Sequence, residues 1–231
     1  MKRFKVDEYI VKEGNREYSI LVFPFIKYMW AYDDTWESGY YAVDGPYEVF
    51  SMLRYAMAIL IASSDKIIYF PCKQYGIGRY YNENYNLVIC SPRVQLRRSS
   101  WNDLRNKLIQ KNKRGSYVLR YDRKKLDDYC MKYILYKDCG FGNKYYIRED
   151  VRKQMHKEYH EKIEGETLFL VMNKIECYYN HYSVCESMDK LLECNEGCYS
   201  SAMGWIFSKQ WIDRMIKEEK EEEEKRKSRK D

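Results

Sequence analysis

The chain has 231 residues, of which 45% are hydrophobic and 16% aromatic, and it carries a formal net charge of +6. This apolar content can build a sizeable core, which excludes disorder as the main state. The longest apolar run, Tyr55–Ala62, is well short of the ~20 residues that a membrane span needs. The amino terminus has no apolar stretch of signal-peptide length. We therefore expect a cytoplasmic protein that is not exported by that route and does not contact a membrane.

The composition is skewed, with 25 tyrosines against two threonines. Few thermolabile amides and many charged residues fit a hot environment, and an AT-rich genome produces a similar skew. Small viral or mobile-element proteins share this skewed composition. If the protein is viral, the cytoplasm that we expect it to occupy is that of the host cell. No motif chooses among these origins.

The first predicted element is a β-hairpin, in which 4–11 and 18–25 flank the turn residues 13–16. The next segment, 27–47, mixes aromatic and acidic residues with neither helical nor strand period. It is predicted to be a long ordered loop, and loops of this length in a compact domain are often functional. The alternative is an aromatic cover over one end of the core.

A helix is predicted to begin after Asp44, which would be an acidic N-cap with Pro46 near the first turn, and to end near 63–65. Short apolar strands are then predicted at 66–70, 86–90 and 167–172. This alternation indicates an α/β or α+β fold, with a single mixed β-sheet and helices packed against it.

The region between the last two of these strands is predicted to contain helices at 99–112, 124–137 and 148–163, with a short strand at 116–121. Beyond residue 172 the pattern is again helical and ends in a charged helix. No repeat or linker divides the chain, so we predict one domain over 1–216, followed by a charged, helical or frayed tail over 217–231.

The strongest signal is a basic stretch between Arg93 and Lys125, which contains twelve Lys or Arg and only two acids, Asp103 and Asp122. The net charge of +10 in 33 residues exceeds what an ordinary solvated face carries. Such a cluster must face water or an anionic partner, because burying unpaired ions costs several kcal/mol each. The alternative is that these residues are solubilising charges, or are neutralised by acids elsewhere in the fold.

Within the basic stretch we predict a helix, a basic loop and a strand that together bind phosphates and base edges. The candidate nucleic-acid-binding residues are Arg97, Arg98, Arg105, Lys107, Lys111, Lys113, Arg114 and Arg120. The partner is DNA, RNA or an acidic protein surface, and the sequence does not distinguish these three.

Catalytic motifs are mostly missing. No glycine-rich phosphate loop with a following Lys-Ser or Lys-Thr occurs, and serine nucleophile elbows are absent. Asp103, Asp122 and Lys124 are candidates for the active site of a metal-dependent nuclease. Two carboxylates can hold Mg²⁺ while the lysine stabilises charge at the attacked phosphate. An acid-x-Lys triplet is common by chance in a chain that is 33% charged.

Four cysteines and a histidine lie between Cys177 and Cys198. His156 and His160 stand four residues apart on a predicted helix, and Cys177 and His181 repeat that step. These four residues are therefore the candidate ligands of a tetrahedral structural zinc site. A zincin protease is disfavoured, because its motif places the glutamate directly after the first histidine.

Buried thiols are the favoured interpretation of this cluster. The apolar face of the predicted helix contains Cys185, Cys194, Met188, Leu191 and Leu192. The alternatives are a structural zinc and a disulfide that involves Cys194 or Cys198.

The sequence as a whole predicts a nucleic-acid or polyanion binding protein that acts through residues 93–125. The alternatives are a metal-dependent nuclease, and an inhibitor or interaction protein without catalytic activity whose contact surface is the segment 27–47.

Overall fold

The computed structural model of the chain describes residues 5–13, 15–34, 40–72, 85–94, 113–118, 134–138, 143–147, 160–164, 167–194, 197–201 and 203–228. The described strands are β1 (Lys5–Glu13), β2 (Arg16–Val22), β3 (Trp30–Asp34), β4 (Tyr40–Pro46), β5 (Lys66–Phe70), β6 (Asn86–Cys90), β7 (Lys113–Val118), β8 (Ile134–Asp138), β9 (Asn143–Ile147), β10 (His160–Glu164), β11 (Thr167–Val171), β12 (Cys198–Ser201) and β13 (Gly204–Phe207). The described helices are α1 (Tyr47–Ala62), α2 (Lys174–Cys194) and α3 (Lys209–Lys227). The mixed helix and strand content confirms the predicted fold class, broadly α+β.

Seven strands form the larger sheet, in the order β10, β11, β6, β5, β2, β1, β7. The predicted hairpin is confirmed, since β1 and β2 pair antiparallel up to Glu13 and Arg16. Strand β2 runs parallel to β5, and β11 runs parallel to β6, so the sheet is mixed. The predicted strands at 66–70, 86–90 and 167–172 all belong to this sheet.

Both faces of the larger sheet are buried at its centre. One face packs against α1 and α2 through residues such as Leu21, Ile68, Ile89 and Leu170. The other face carries a separate buried cluster of Tyr18, Ile20, Ile67, Val88, Cys90 and Phe169. Strands that are buried on both faces read as continuous apolar runs, which is how β5, β6 and β11 appear in the sequence.

Helix α1 is buried nearly all round, as its apolar sequence predicts. It contacts α2, the strands β4 and β13, and β5 of the larger sheet. The predicted acidic N-cap is wrong, because the cap residue is Pro46 and Asp44 lies within β4. The predicted end near 63–65 is correct, since Ser63 caps the helix with a backbone N–H bond to the Ile59 carbonyl.

A second mixed sheet, in the order β12, β13, β4, β3, overturns two expectations. The single predicted sheet is wrong, and the segment 27–47 is not a long loop, because β3 and β4 pair antiparallel within it. Strand β3 lacks the alternation of polar and apolar residues that marks a half-buried strand, because neighbouring residues are buried on its opposite faces. Trp30 is 1% exposed and Ala31 0% exposed, so no polar residue alternates with an apolar one.

Other predictions also fail along the chain. Strand β8 occupies the end of the predicted helix 124–137, and β10 the end of the predicted helix 148–163. The strand predicted at 116–121 begins three residues earlier, as β7. Runs of five or six residues are too short to separate a period of 2 from a period of 3.6. The predicted helix at 99–112 lies outside the described residues.

Helix α3 begins at Lys209, where the Ser208 hydroxyl accepts a 3.2 Å hydrogen bond from the Trp211 N–H. Its first half packs on an aromatic cluster in which the Phe207 and Trp211 rings stack with centroids 4.0 Å apart. From Lys217 onward, the residues whose side chains the structure describes are exposed. None of the three helices in the described part of the chain is long and apolar enough to cross a membrane.

Candidate functional site

The described part of the basic stretch is Arg93, Val94 and strand β7, and β7 lies at one edge of the seven-stranded sheet. It pairs antiparallel with β1, so that Val118 faces Lys5 and Lys113 faces Tyr9. Lys113 and Arg114 form the beginning of this strand. The structure therefore places two of the predicted binding residues at a sheet edge.

A register shift interrupts this pairing between Glu8 and Tyr9, at the point where the register passes over Arg114. Irregularities of this kind are most frequent at sheet edges and next to functional sites, where they end regular pairing and re-aim side chains. An edge strand also presents a row of backbone N–H and C=O groups to its open side. Backbone N–H groups and basic side chains are both phosphate ligands.

The remaining predicted site residues lie outside the described part of the chain. These are Arg97, Arg98, Arg105, Lys107, Lys111 and Arg120 of the basic stretch, Asp103, Asp122 and Lys124 of the nuclease alternative, and His156 of the zinc alternative. The nuclease alternative therefore stays a prediction.

A polar cluster that was not predicted joins β1, β2 and β5. The Ser19 hydroxyl donates to Glu8 Oε1 at 2.5 Å, and Lys66 Nζ donates to the same oxygen at 3.0 Å and to Ser19 Oγ at 2.9 Å. A Ser-Lys nucleophile would need a neutral amine, whereas Lys66 is ion-paired with Glu8. The cluster neutralises a half-buried acid and ties three strands together.

The structure describes three of the four zinc candidates, His160, Cys177 and His181. His160 begins strand β10, so it does not share a helix with His156. Cys177 and His181 do lie on α2 at the predicted step, and both are buried. Among the residues that the structure describes, no group of three or more His, Cys, Asp or Glu side chains is arranged to hold a metal ion.

Cys177 and His181 lie near the beginning of helix α2. Its start is a reciprocal cap, in which the Asn173 side chain accepts from the Glu176 N–H at 3.0 Å and Glu176 accepts from the Asn173 N–H at 2.6 Å. One turn on, His181 Nε2 lies 3.9 Å from Cys185 Sγ. Burial chiefly, and then the charge of Glu176, raise the pKa of the Cys177 thiol. A thiol with a raised pKa is a poor nucleophile and a poor metal ligand at neutral pH.

The structure describes the side chains of five cysteines, of which Cys72, Cys177 and Cys198 are free thiols. Cys90, Cys177 and Cys185 are buried, as the favoured interpretation expects for Cys185, and burial raises the pKa of the half-buried Cys72 to about 12. Cys198 is exposed and unpaired, so the alternative of a disulfide at that residue is wrong. Its pKa is raised, first by partial burial and then by the charge of Asp44.

We expect Cys198 to react fastest of these five with a thiol reagent in the folded protein. Cys198→Ser should remove one fast equivalent, whereas Cys177→Ser should leave the fast phase unchanged. Because its pKa is raised above 9.0, the Cys198 rate should still rise about tenfold per pH unit up to pH ~9. A plateau below that pH, or a fast phase that survives Cys198→Ser, would contradict this expectation.

Asp44 lies in β4 of the second sheet and is fully buried, at 0% exposure. Its Oδ1 accepts a 2.8 Å hydrogen bond from the Trp205 backbone N–H, and its Oδ2 accepts one of 2.8 Å from the Tyr32 hydroxyl. Gly204 beside it has a φ of +139°, and a Cβ there would lie 2.3 Å from the Val43 carbonyl oxygen. The acid therefore joins β3, β4 and β13, which is a structural role.

Comparisons of this chain with protein-family models, with curated proteins and with solved structures find no match. Its function therefore has to be inferred from its own residues.

Proposed function

We propose that the protein binds nucleic acid through the basic stretch 93–125, with the edge strand β7 as part of the contact surface. The observation that carries the proposal is that Lys113 and Arg114 lie at the edge of the seven-stranded sheet, at an interruption of its pairing. Among the described strands, β7 pairs only with β1.

Charge density supports the same proposal. The stretch carries a net charge of +10 in 33 residues, so the other 198 residues sum to −4, as 6 − 10. A charge asymmetry of this size attracts a polyanion over distances of about 10 Å at moderate salt. Phosphate contacts of this kind position a nucleic acid without reading its sequence.

The test is the salt dependence of binding to a labelled duplex of about 20 base pairs. Each phosphate that the protein neutralises contributes about −0.9 to the slope of log affinity against log salt. We expect Lys111→Ala, Lys113→Ala and Arg114→Ala, combined in one protein, to flatten that slope by up to about 2.7 and to weaken binding to all sequences alike.

A matched control removes three charges elsewhere. Lys217, Lys220 and Lys225 are exposed on α3 among glutamates, so their combined replacement by Ala changes the net charge equally but should leave the slope unchanged. An equal effect of the two triple variants would mean that overall charge, and not this surface, governs binding. Absence of binding by the parent at about 50 mM salt would overturn the proposal.

The same experiment distinguishes the other functions. Cleavage of the duplex that requires Mg²⁺ would indicate the nuclease built on Asp103, Asp122 and Lys124. Neither binding nor cleavage of DNA or RNA would favour the inhibitor or interaction protein whose contact surface is the segment 27–47. Single-stranded and RNA probes of the same length identify the preferred nucleic acid.

A further inference from the structure

The loop between β2 and β3, residues 23–29, brings an aromatic side chain to the surface. Pro24, Phe25 and Lys27 are exposed in this loop, and Phe25 is 37% exposed. Lys27 Nζ lies 4.7 Å from the centroid of the half-buried Tyr28 ring, which is a cation–π contact. An exposed aromatic ring next to a basic side chain is typical of surfaces that stack unpaired nucleobases.

Both ends of this loop are anchored in the core. At one end Phe23 is buried, its N–H donates to the Tyr69 carbonyl at 2.9 Å, and its ring centroid lies 4.6 Å from that of Phe70. At the other end Met29 and Trp30 are both buried. The loop therefore presents its exposed ring from a fixed backbone.

Tyr28 holds a backbone conformation that residues other than glycine rarely adopt, with a φ of +65°. Its carbonyl oxygen lies so close to β4 that a Cβ on Gly45 would approach it to 3.1 Å. Such conformations persist only where the surrounding structure imposes them, and they are most frequent at ligand-binding and active sites. A platform that is ordered before binding loses little conformational entropy when a ligand stacks on it.

The loop leaves the sheet close to the edge strand β7. Val22, the last residue of β2, faces Asp7 of β1, and Asp7 in turn faces Ser116 of β7. Because β2 and β7 both run antiparallel to β1, the loop begins at the end of the sheet where β7 ends. Two strand spacings, about 10 Å, separate β2 from β7. At a rise of about 3.4 Å per nucleotide, about three nucleotides of one strand span that distance.

We infer that this loop stacks an unpaired nucleobase on Phe25, so that the nucleic acid bound by the protein is single-stranded at this point. The inference rests on the proposed function and names its substrate class. In a duplex the faces of the bases are covered by their neighbours, whereas a single strand exposes them. Stacking needs no net positive charge, so the acid Asp7 on the neighbouring strand does not oppose this contact.

The experiment measures binding to one strand of the labelled duplex used above and to the duplex itself. Phe25→Ala should weaken binding to the single strand about 5- to 150-fold, which is the range for alanine substitution of a stacking residue. It should leave binding to the duplex unchanged. The slope of log affinity against log salt should also stay parental, because stacking releases no counterions.

Three further variants identify the aromatic face as the cause. Phe25→Trp keeps an aromatic ring and should bind the single strand at least as tightly as the parent. Phe25→Leu keeps an apolar side chain without that face, so it should lose affinity as Phe25→Ala does. Leu192→Ala removes another exposed apolar side chain, which is 60% exposed on α2, and should match the parent.

The outcomes separate the inference from the proposal beneath it. If Phe25→Ala and Phe25→Leu bind the single strand as tightly as the parent, or if the parent binds only the duplex, the stacking site is wrong and the proposed function stands. If the parent binds neither, both are wrong. Equal weakening of single-strand and duplex binding would also contradict the inference. Phe25→Leu, which is close in size to the parent residue, tests it even if the Ala variant misfolds.

Discussion

Replacing Gly204 with alanine is expected to be the most damaging single substitution among the described glycines. Its φ of +139° is a region that L side chains rarely adopt, and the new Cβ would meet the Val43 carbonyl oxygen at 2.3 Å and Asp44 Oδ1 at 2.7 Å. The backbone conformation alone costs about 1–3 kcal/mol in a residue other than glycine. The contacts add to this, because β4 would have to move away from β13.

Gly197 provides a matched control for the Gly204 variant. It also has a positive φ, of +82°, but nothing lies within 4 Å of a Cβ built there. Gly197→Ala should therefore lose only about 1–2 kcal/mol of unfolding free energy, whereas Gly204→Ala should lose at least about 3 kcal/mol. Urea denaturation followed by circular dichroism measures both. Equal urea midpoints for the two variants would show that the close approach of β4 and β13 is not required for stability.

The second large effect is expected from Asp44→Ala. The substitution leaves the Trp205 N–H and the Tyr32 hydroxyl without the acceptor that each uses now. A buried polar group that loses its partner costs about 1–3 kcal/mol, so the variant should be less stable by about 2–6 kcal/mol. Typical domains are stable by only 5–15 kcal/mol, so a loss at the upper end could unfold this protein at room temperature.

Two milder variants identify the cause of the Asp44 effect. Tyr32→Phe removes the hydroxyl donor itself, so no donor is left without an acceptor at residue 32. It should therefore lower the free energy of unfolding by less than Asp44→Ala does. Asp44→Asn keeps a side-chain oxygen that can accept from the Trp205 N–H. Its free energy of unfolding should therefore lie between those of Tyr32→Phe and Asp44→Ala. The same denaturation experiment ranks all three. If Asp44→Ala were as stable as the parent, the carboxylate would not be what joins the strands.

Local patterns predict the elements that are long or uniformly apolar. The hairpin, α1 and the strands β5, β6 and β11 were predicted because each shows either a clear turn or a continuous apolar run. The strands β12 and β13 were missed because each has only four residues. Such short strands gain their stability from the sheet that they join and not from their own pattern.

The candidate site was only half predictable for a related reason. The charge of Lys113 and Arg114 is visible in the sequence, but their position at a sheet edge depends on the pairing of β7 with β1. Pairing between strands so far apart in the chain leaves no local periodicity. The helix predicted at 148–163 failed at its end in the same way, since His160 was assigned to it on a short charged pattern and lies in a strand.

The parallel pairing of β6 with β11 has a consequence for biosynthesis. Strand β6 ends at Cys90, and its partner β11 begins at Thr167. Translation adds about 5–20 residues per second, so the ribosome needs on the order of 4 to 15 s to make the partner. During that interval the nascent chain exposes one unpaired edge of an apolar strand. Such edges are where nascent chains aggregate, and chaperones exist to shield this kind of surface.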